Sequence, residues 1–209
     1  MMPIPIHRGG SYHDELPDEE NPSATAVRKL MVDSEDFKSL VPDCAWDIFA
    51  NAPLHTLYAG ERAILSKLRT MTDAEFEALP YGSEGLWRKF MHACREQASL
   101  EAIIAATKSK RYTRTRIDRM IMCAFLGLTQ QDLDTAVPYV RVLALNDRGR
   151  AVLKKARETG TFLNAGEISQ TPYGEKERII GDLYGLFAIG APDAPGAENA
   201  RRVYYHKEF

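Results

Sequence analysis

"KSKRYTRTRIDRMIMCAFLGL", residues 108–128, joins a dense run of positive charge to a strongly periodic apolar segment. Thr113 is a predicted N-cap, and the apolar residues after it recur at the spacing of one helix face. That face consists of Ile117, Met120, Ile121, Ala124, Phe125 and Leu128. The stretch therefore predicts an amphipathic helix that begins among arginines and packs its apolar face in a core.

The same helical periodicity extends through most of residues 35–137, and the pattern changes at Pro138. "YVRVLALN" alternates and is rich in β-branched residues, which predicts a strand over 139–145. A helix capped at Asn146 or Asp147 and a short strand in "TFLNAG" complete a small parallel unit. A helix over about 175–188 and an extended "RRVYYHKEF" tail follow. We therefore expect a mainly α fold with a small α/β element.

Composition narrows the class of protein. The 209 residues include 44% hydrophobic and 27% charged residues, as in ordinary globular chains. No apolar run approaches 18 residues and the first residues lack a secretory signal, so we expect a cytoplasmic location without membrane contact. The five histidines show no zinc-ligand spacing, and neither phosphate-loop motif nor nucleophile elbow occurs. We accordingly predict neither a metal site nor catalytic residues.

The basic run is the strongest functional signal. Six cations and one acid, Asp118, lie between Lys108 and Arg119, although the whole chain carries 27 Lys and Arg against 29 Asp and Glu. A helix N-terminus favours acids by about 0.3–1 kcal/mol each, so cations there repel the helix dipole and one another unless an anion binds. Arginines with a tyrosine suit RNA phosphates and a stacked base. The predicted RNA contacts are Lys108, Lys110, Arg111, Tyr112, Arg114, Arg116 and Arg119.

Two alternatives compete with an RNA site here. The run could be a solvated basic face or could pair with the acidic loop at 14–20, and Tyr112 could be a core aromatic. A second anion site is predicted in "PSATAVRKL", residues 22–30, where Ser23 and Thr25 supply hydroxyls at a helix start and Arg28 lies near Arg8 of a short strand. Its alternative is an ordinary serine N-cap.

Several stretches together resemble one family, the bacterial tRNA(Met) cytidine acetate ligases. They are "IPIHRGGSYHD", "PSATAVRKL", "SEGLWRKF", "KSKRYTRTRIDRMIM", "YVRVLALNDRGRAVLKK" and "DLYGL". The resemblance implies a ligase that uses ATP to convert acetate to acetyl-adenylate and then acetylates the wobble cytidine of elongator tRNA(Met). It also implies that Arg8, Ser23, Thr25 and Arg28 contact the nucleotide.

The sequence departs from that family in ways that bear on activity. The resemblance implies a chain about twice this length, beginning with an α/β nucleotide-binding domain that carries an H-x-G-H motif. No H-x-G-H occurs in these 209 residues, Lys89 stands where arginine is usual, and Trp87 replaces a polar residue. We therefore expect the C-terminal half of such an enzyme, with ATP as cofactor of the full-length relatives and no acetyl-adenylate synthesis by this chain alone.

This interpretation divides the chain into three predicted parts. Residues 1–32 are the last strand and helix of the nucleotidyltransferase-type α/β domain, 33–137 a helical tRNA-binding domain, and 138–209 a small mixed α/β extension. The expected partners are elongator tRNA(Met) and either a second copy of the chain or a nucleotide-binding domain. The alternative functions are a non-catalytic RNA-binding module and a helical protein-interaction domain.

Overall fold

The computed structural model describes residues 23–33, 36–192, 194–200 and 202–206. The chain divides into two compact units, residues 1–54 and 55–209. The described part of the first unit contains α1 (Ala24–Val32), a 3-10 turn (Lys38–Leu40) and α2 (Asp43–Asn51). The strand predicted within residues 3–8, and with it Arg8, lies outside the described residues.

The second unit begins with helices and ends in mixed structure. Its helical part comprises α3 (Glu61–Thr70), α4 (Asp73–Glu77), α5 (Leu86–Glu96), α6 (Leu100–Thr107), α7 (Arg114–Leu126) and α8 (Gln130–Asp134). The remainder comprises β1 (Val140–Arg141), β2 (Ala144–Leu145), α9 (Asp147–Ala156), β3 (Phe162–Leu163), α10 (Ala165–Ile168), α11 (Pro172–Tyr184), a 3-10 turn (Gly185–Phe187), α12 (Ala197–Ala200) and β4 (Tyr204–Tyr205). The prediction of a mainly helical fold with a small β component is confirmed.

Helix α7 forms for the reasons that its sequence predicts. The Thr113 side chain accepts a hydrogen bond from the Arg116 backbone N–H, which satisfies one of the free donors at the helix start. Gly127 ends the helix at φ +67°, a left-handed conformation that glycine adopts without strain. The predicted apolar face is buried from Ile117 to Phe125, while Leu128 is half-buried.

The core of the second unit lies among α3, α5, α6 and α7. Its fully buried side chains include Ile64, Phe90, Ile103, Met120 and Ile121. Phe187, which follows α11, joins this cluster and contacts Phe125 edge to face with ring centroids 5.3 Å apart. The segment after α11 is therefore anchored in the same core as the helices that precede Pro138.

The β structure is parallel. Strand β1 pairs with β3, with Val140 opposite Phe162, and α9 connects the two, which confirms the strand–helix–strand unit expected from the sequence. Strand β2 pairs in parallel with β4, with Ala144 opposite Tyr204, so the tail also contributes a strand. In the described residues, no helix is both long and apolar enough to cross a bilayer.

Candidate nucleic-acid interface

The basic run occupies the turn between α6 and α7 and the first turns of α7. Lys108 caps the C-terminus of α6 through a backbone hydrogen bond to Ile104. Within the turn, the Ser109 N–H donates to the Tyr112 carbonyl at 3.1 Å, and the Tyr112 N–H donates to Ser109 Oγ at 3.2 Å. These reciprocal bonds give the turn a defined shape before α7 begins at Arg114.

Arg116 points inward from this run and holds a neighbouring turn. Its guanidinium donates to the Tyr81 carbonyl at 2.9 Å, to the Ser83 carbonyl at 3.1 Å and to Ser83 Oγ at 2.8 Å. It also contacts the Glu84 carboxylate at 3.3 Å, and its side chain is only 24% exposed. Arg116 is thus committed to contacts within the protein.

The turn that Arg116 binds has an unusual backbone. Tyr81 and Glu84 adopt φ values of +65° and +63°, and Gly85, which precedes α5, lies at +83°. Left-handed φ costs a non-glycine residue about 1–2 kcal/mol, so the two side-chain-bearing residues need support from elsewhere. Helix α5 begins at Leu86, after Gly85 has taken the left-handed position that precedes it.

Tyr112 supports the same turn. Its hydroxyl donates to the Glu84 carbonyl at 2.7 Å, and its half-buried ring packs against the core. The guanidinium groups of Arg111 and Arg116 each lie 5.8 Å from the ring centroid. Tyr112 therefore links the turn that Arg116 binds to the core.

Arg114 is paired with acids. It makes two 2.7 Å hydrogen bonds to the Glu101 carboxylate of α6 and approaches Asp118 one turn along α7 at 3.8 Å. The hydrogen bonds from Arg114 hold the pKa of Glu101 below its usual range, whereas burial raises the pKa of Asp118. Acidic side chains of the protein thus offset part of the positive charge at the start of α7. These partners could not be identified from the sequence alone.

The remaining cations face solvent. Arg111 is 62% exposed and touches Glu84 at 3.3 Å, and Lys110 has no carboxylate partner in the described part of the chain. Arg119 is exposed, with its guanidinium 5.9 Å from the Tyr81 ring centroid, and Lys108 is also exposed. We call Lys108, Lys110, Arg111 and Arg119 the α6–α7 basic surface. Lys89 of α5 extends it by donating to the Lys108 carbonyl at 3.4 Å.

The predicted nucleotide segment lies in the first unit. The Ser23 side chain caps α1 by accepting from the Ala26 N–H at 3.0 Å, as the alternative interpretation of that serine expected. Thr25 and Arg28 are exposed and three residues apart on one face of α1. Across the described residues, no group of three His, Cys, Asp or Glu side chains is arranged to hold a metal ion.

Comparison with known proteins finds one consistent relationship. A family model described as "HIGH Nucleotidyl Transferase" matches residues 1–179. The tRNA(Met) cytidine acetate ligase of Staphylococcus carnosus is 26% identical over 88% of this chain and 49% of its own length. That of Limosilactobacillus reuteri is 30% identical over 88% of this chain and 51% of its own length. The chain thus spans about half the length of these relatives.

Solved structures show the same fold. Apo Thermotoga maritima TmcAL (form I) superposes with a TM-score of 0.79 at 18% identity, over 96% of this chain and 54% of that one. TmcAL bound with alpha-thio ATP gives a TM-score of 0.73 at 18% identity, over 89% of this chain and 52% of that one. At this identity the likeness establishes shared architecture.

Proposed function

Since the chain belongs to the HIGH nucleotidyl transferase family, we propose that it is the RNA-contacting portion of a tRNA(Met) cytidine acetate ligase. The observation that carries the proposal is the α6–α7 basic surface, in which exposed cations lie in and just after a turn that Ser109 and Tyr112 hold in shape. Phosphate groups of a bound tRNA would neutralise these cations and release counterions.

The proposed chemistry is that of the curated relatives. ATP and acetate would give acetyl-adenylate and pyrophosphate, and the exocyclic amine of the wobble cytidine would then attack the activated carbonyl. Ser23, Thr25 and Arg28, together with Arg8, are the proposed nucleotide contacts. Of these, Thr25 and Arg28 are exposed on α1, where they are accessible to a ligand. Acetyl transfer would need this segment together with the H-x-G-H motif that the resemblance implies.

We leave two arginines of the basic run out of the proposed phosphate contacts because the protein itself already engages them. Arg116 is mostly covered and binds the 81–84 turn, and Arg114 is engaged by two hydrogen bonds with Glu101. Changing either would disturb the protein as well as remove charge. The proposed phosphate contacts are therefore Lys108, Lys110, Arg111 and Arg119.

The test is binding of elongator tRNA(Met) across a range of salt concentrations. The variant Lys108→Ala/Lys110→Ala removes two exposed charges, and Arg148→Ala/Lys155→Ala removes two exposed charges from α9 as a matched control. Loss of two phosphate contacts should flatten the slope of log K against log salt by about 1.4–1.8, whereas the control should keep the wild-type slope. Equal slopes in wild type and the Lys108/Lys110 variant would overturn the assignment.

An unrelated tRNA separates the two RNA-related functions. Preferential binding of elongator tRNA(Met) supports a part of an acetate ligase, because such an enzyme acts on one tRNA. Equal binding of both tRNAs, with the same salt slope, supports the alternative of a non-catalytic RNA-binding module. If the wild-type chain binds neither RNA at low salt, the proposed function fails.

A further inference from the structure

A second row of cations lies on α9, outside the α6–α7 basic surface. Arg150, Lys154 and Arg157 are four and three residues apart, so they lie on one face of the helix. Arg157 caps α9 with helical φ and ψ, which keeps it in line with the other two. Over seven residues the row spans about 10 Å of helix axis.

This row lines a concave groove between α9 and β4. The groove has a volume of about 710 Å³, and Leu145, Ala151 and Leu153 supply its apolar lining. Tyr205 of β4 lies on its other side and is 37% exposed. A row of cations beside an apolar floor and an accessible aromatic ring combines the two features of single-strand RNA sites, a basic track and a stacking platform.

The cations of the groove are less neutralised than those at the start of α7. Asp147, the acid in the lining, accepts a hydrogen bond from the Tyr205 hydroxyl, which raises the pKa of that tyrosine. Neither Lys154 nor Arg157 forms an ion pair with any carboxylate that the structure describes. The groove therefore keeps positive charge available to a ligand, whereas Glu84 and Glu101 offset much of the charge near α7.

We propose that the groove between α9 and β4 is a second RNA-binding surface. Successive phosphates of one strand lie along Arg150, Lys154 and Arg157, and a base stacks on Tyr205. Because this row of cations is about 10 Å long, it can contact several successive phosphates of an RNA strand, whereas a single phosphate group would contact only part of it. The proposal rests on RNA being the partner of this protein, as argued for the α6–α7 basic surface.

The test uses the full chain and a transcript of elongator tRNA(Met). Lys154→Ala/Arg157→Ala removes two groove charges, while Arg148→Ala/Lys155→Ala removes two from a different face of the same helix. Arg150 is left in place so that two groove charges are removed, which matches the number removed in the control. The groove variant should bind about tenfold more weakly or worse at low salt, with a slope flatter by about 1.4–1.8, and the control should match wild type.

Two changes at Tyr205 test stacking separately from charge. Tyr205→Phe keeps the ring and loses the hydrogen bond to Asp147, so RNA binding should persist. Tyr205→Leu removes the ring and should weaken binding about fivefold or more without changing the salt slope, because no charge is lost. Thermal melting of each variant verifies that it remains folded.

The outcomes distinguish this proposal from the preceding one. In one outcome, wild type binds RNA, the Lys108/Lys110 variant loses affinity and the Lys154/Arg157 variant keeps it. The groove is then not an RNA site, whereas the proposed function stands. If inorganic triphosphate at low concentration displaces RNA from the Lys108/Lys110 variant, the groove is a site for a compact phosphate ligand, which overturns the RNA assignment. Failure of wild type to bind RNA overturns both.

Discussion

Arg116 should matter for stability more than any exposed cation of the basic run. Replacing it with alanine removes the donor to the Tyr81 carbonyl and to Ser83 Oγ, and it removes support from a turn in which two non-glycine residues have positive φ. We expect Arg116→Ala to lower the free energy of unfolding by about 1–3 kcal/mol, measured by urea denaturation. Arg116→Lys should recover little, because an ammonium lacks the planar fork that reaches several acceptors.

Arg111 is the matched control for that prediction. It contacts the same Glu84 carboxylate, but its side chain is 62% exposed. Exposed ion pairs contribute about 0–1 kcal/mol, so Arg111→Ala should change the urea midpoint only slightly. Equal destabilisation by the two substitutions would show that charge near Glu84, rather than the bonds to the 81–84 backbone, stabilises the turn.

For the cations of the basic run, the sequence predicted their positions but not their individual roles. The run from Lys108 to Arg119 is visible from local composition alone. The acceptors of Arg116 lie 32–35 residues earlier in the chain, and the Glu101 partner of Arg114 lies on the preceding helix. Those partners depend on how α5, α6 and α7 pack, so the sequence alone could not separate structural arginines from exposed ones.

The junction between helices α10 and α11 requires a glycine, which has no side chain, at position 174. A Cβ at Gly174 would lie 1.8 Å from the Ile168 carbonyl oxygen, a backbone atom that cannot move aside alone. Gly174 is buried and donates its N–H to the Thr171 cap at 2.9 Å. We expect Gly174→Ala to lower the free energy of unfolding by about 1–3 kcal/mol or more, measured by urea denaturation.

Gly166→Ala provides the comparison within the same pair of helices. The nearest atom to a Cβ at Gly166 is Asn164 Oδ1 at 3.4 Å, which is ordinary contact. Alanine is also the better helix former by about 1 kcal/mol, so this substitution should be neutral or slightly stabilising. If both alanines behave alike, α10 can move away from α11 at little cost, and the close approach at Gly174 is not required.

Helix starts were predictable because their signals are local. Ser23, Thr113 and Asn146 each cap a helix through a side-chain hydrogen bond, as their positions in the sequence indicated. The pairing partners of the strands were harder to predict from the sequence. The single strand predicted over 139–145 consists of β1 and β2, because the two halves pair with segments about 20 and 60 residues away. Pairing over such separations is set by tertiary packing.

The end of α11 is another feature that the local sequence pattern did not predict. The sequence predicts one helix over about 175–188, but within that range Ile179 is 43% exposed and Leu186 is 38% exposed. The helix ends at Tyr184 and the chain continues as a 3-10 turn, so the periodicity changes before Leu186. Phe187 still reaches the core, at 3% exposure. The predicted helix thus extended past its end and included Phe187, which lies in the 3-10 turn.

At the scale of the whole molecule, the buried apolar cluster lies within residues 55–209. It extends from Ile64 on α3 to Phe187 beyond α11. Among the described residues of 1–54, only one hydrophobic residue is buried, Ala26. Since burial of apolar surface is the main favourable contribution to folding, residues 55–209 hold most of what is needed for a stable structure.

Two truncated chains test whether the buried residues of 55–209 are sufficient for folding. A chain of residues 55–209 should unfold cooperatively in urea and keep the RNA-binding salt slope of the full chain, because it retains the core, the α6–α7 basic surface and the α9 groove. A chain of residues 1–137, cut at the boundary predicted from the sequence, loses Phe187. The aromatic contact of Phe187 with Phe125 and the hydrogen bond from the Thr56 N–H to the Phe187 carbonyl at 2.9 Å are then absent.

We therefore expect the 1–137 chain to lose cooperative unfolding or to be destabilised by about 3–5 kcal/mol, the cost of removing a buried phenylalanine from a core. Phe187→Ala in the full chain isolates that contribution and should reproduce much of the effect. If the 1–137 chain is instead stable and unfolds cooperatively, its core does not need residues 138–209. Those residues would then be the separate extension that the sequence predicted. Loss of RNA binding by the 55–209 chain, despite a native-like urea midpoint, would place part of the RNA site in the first unit.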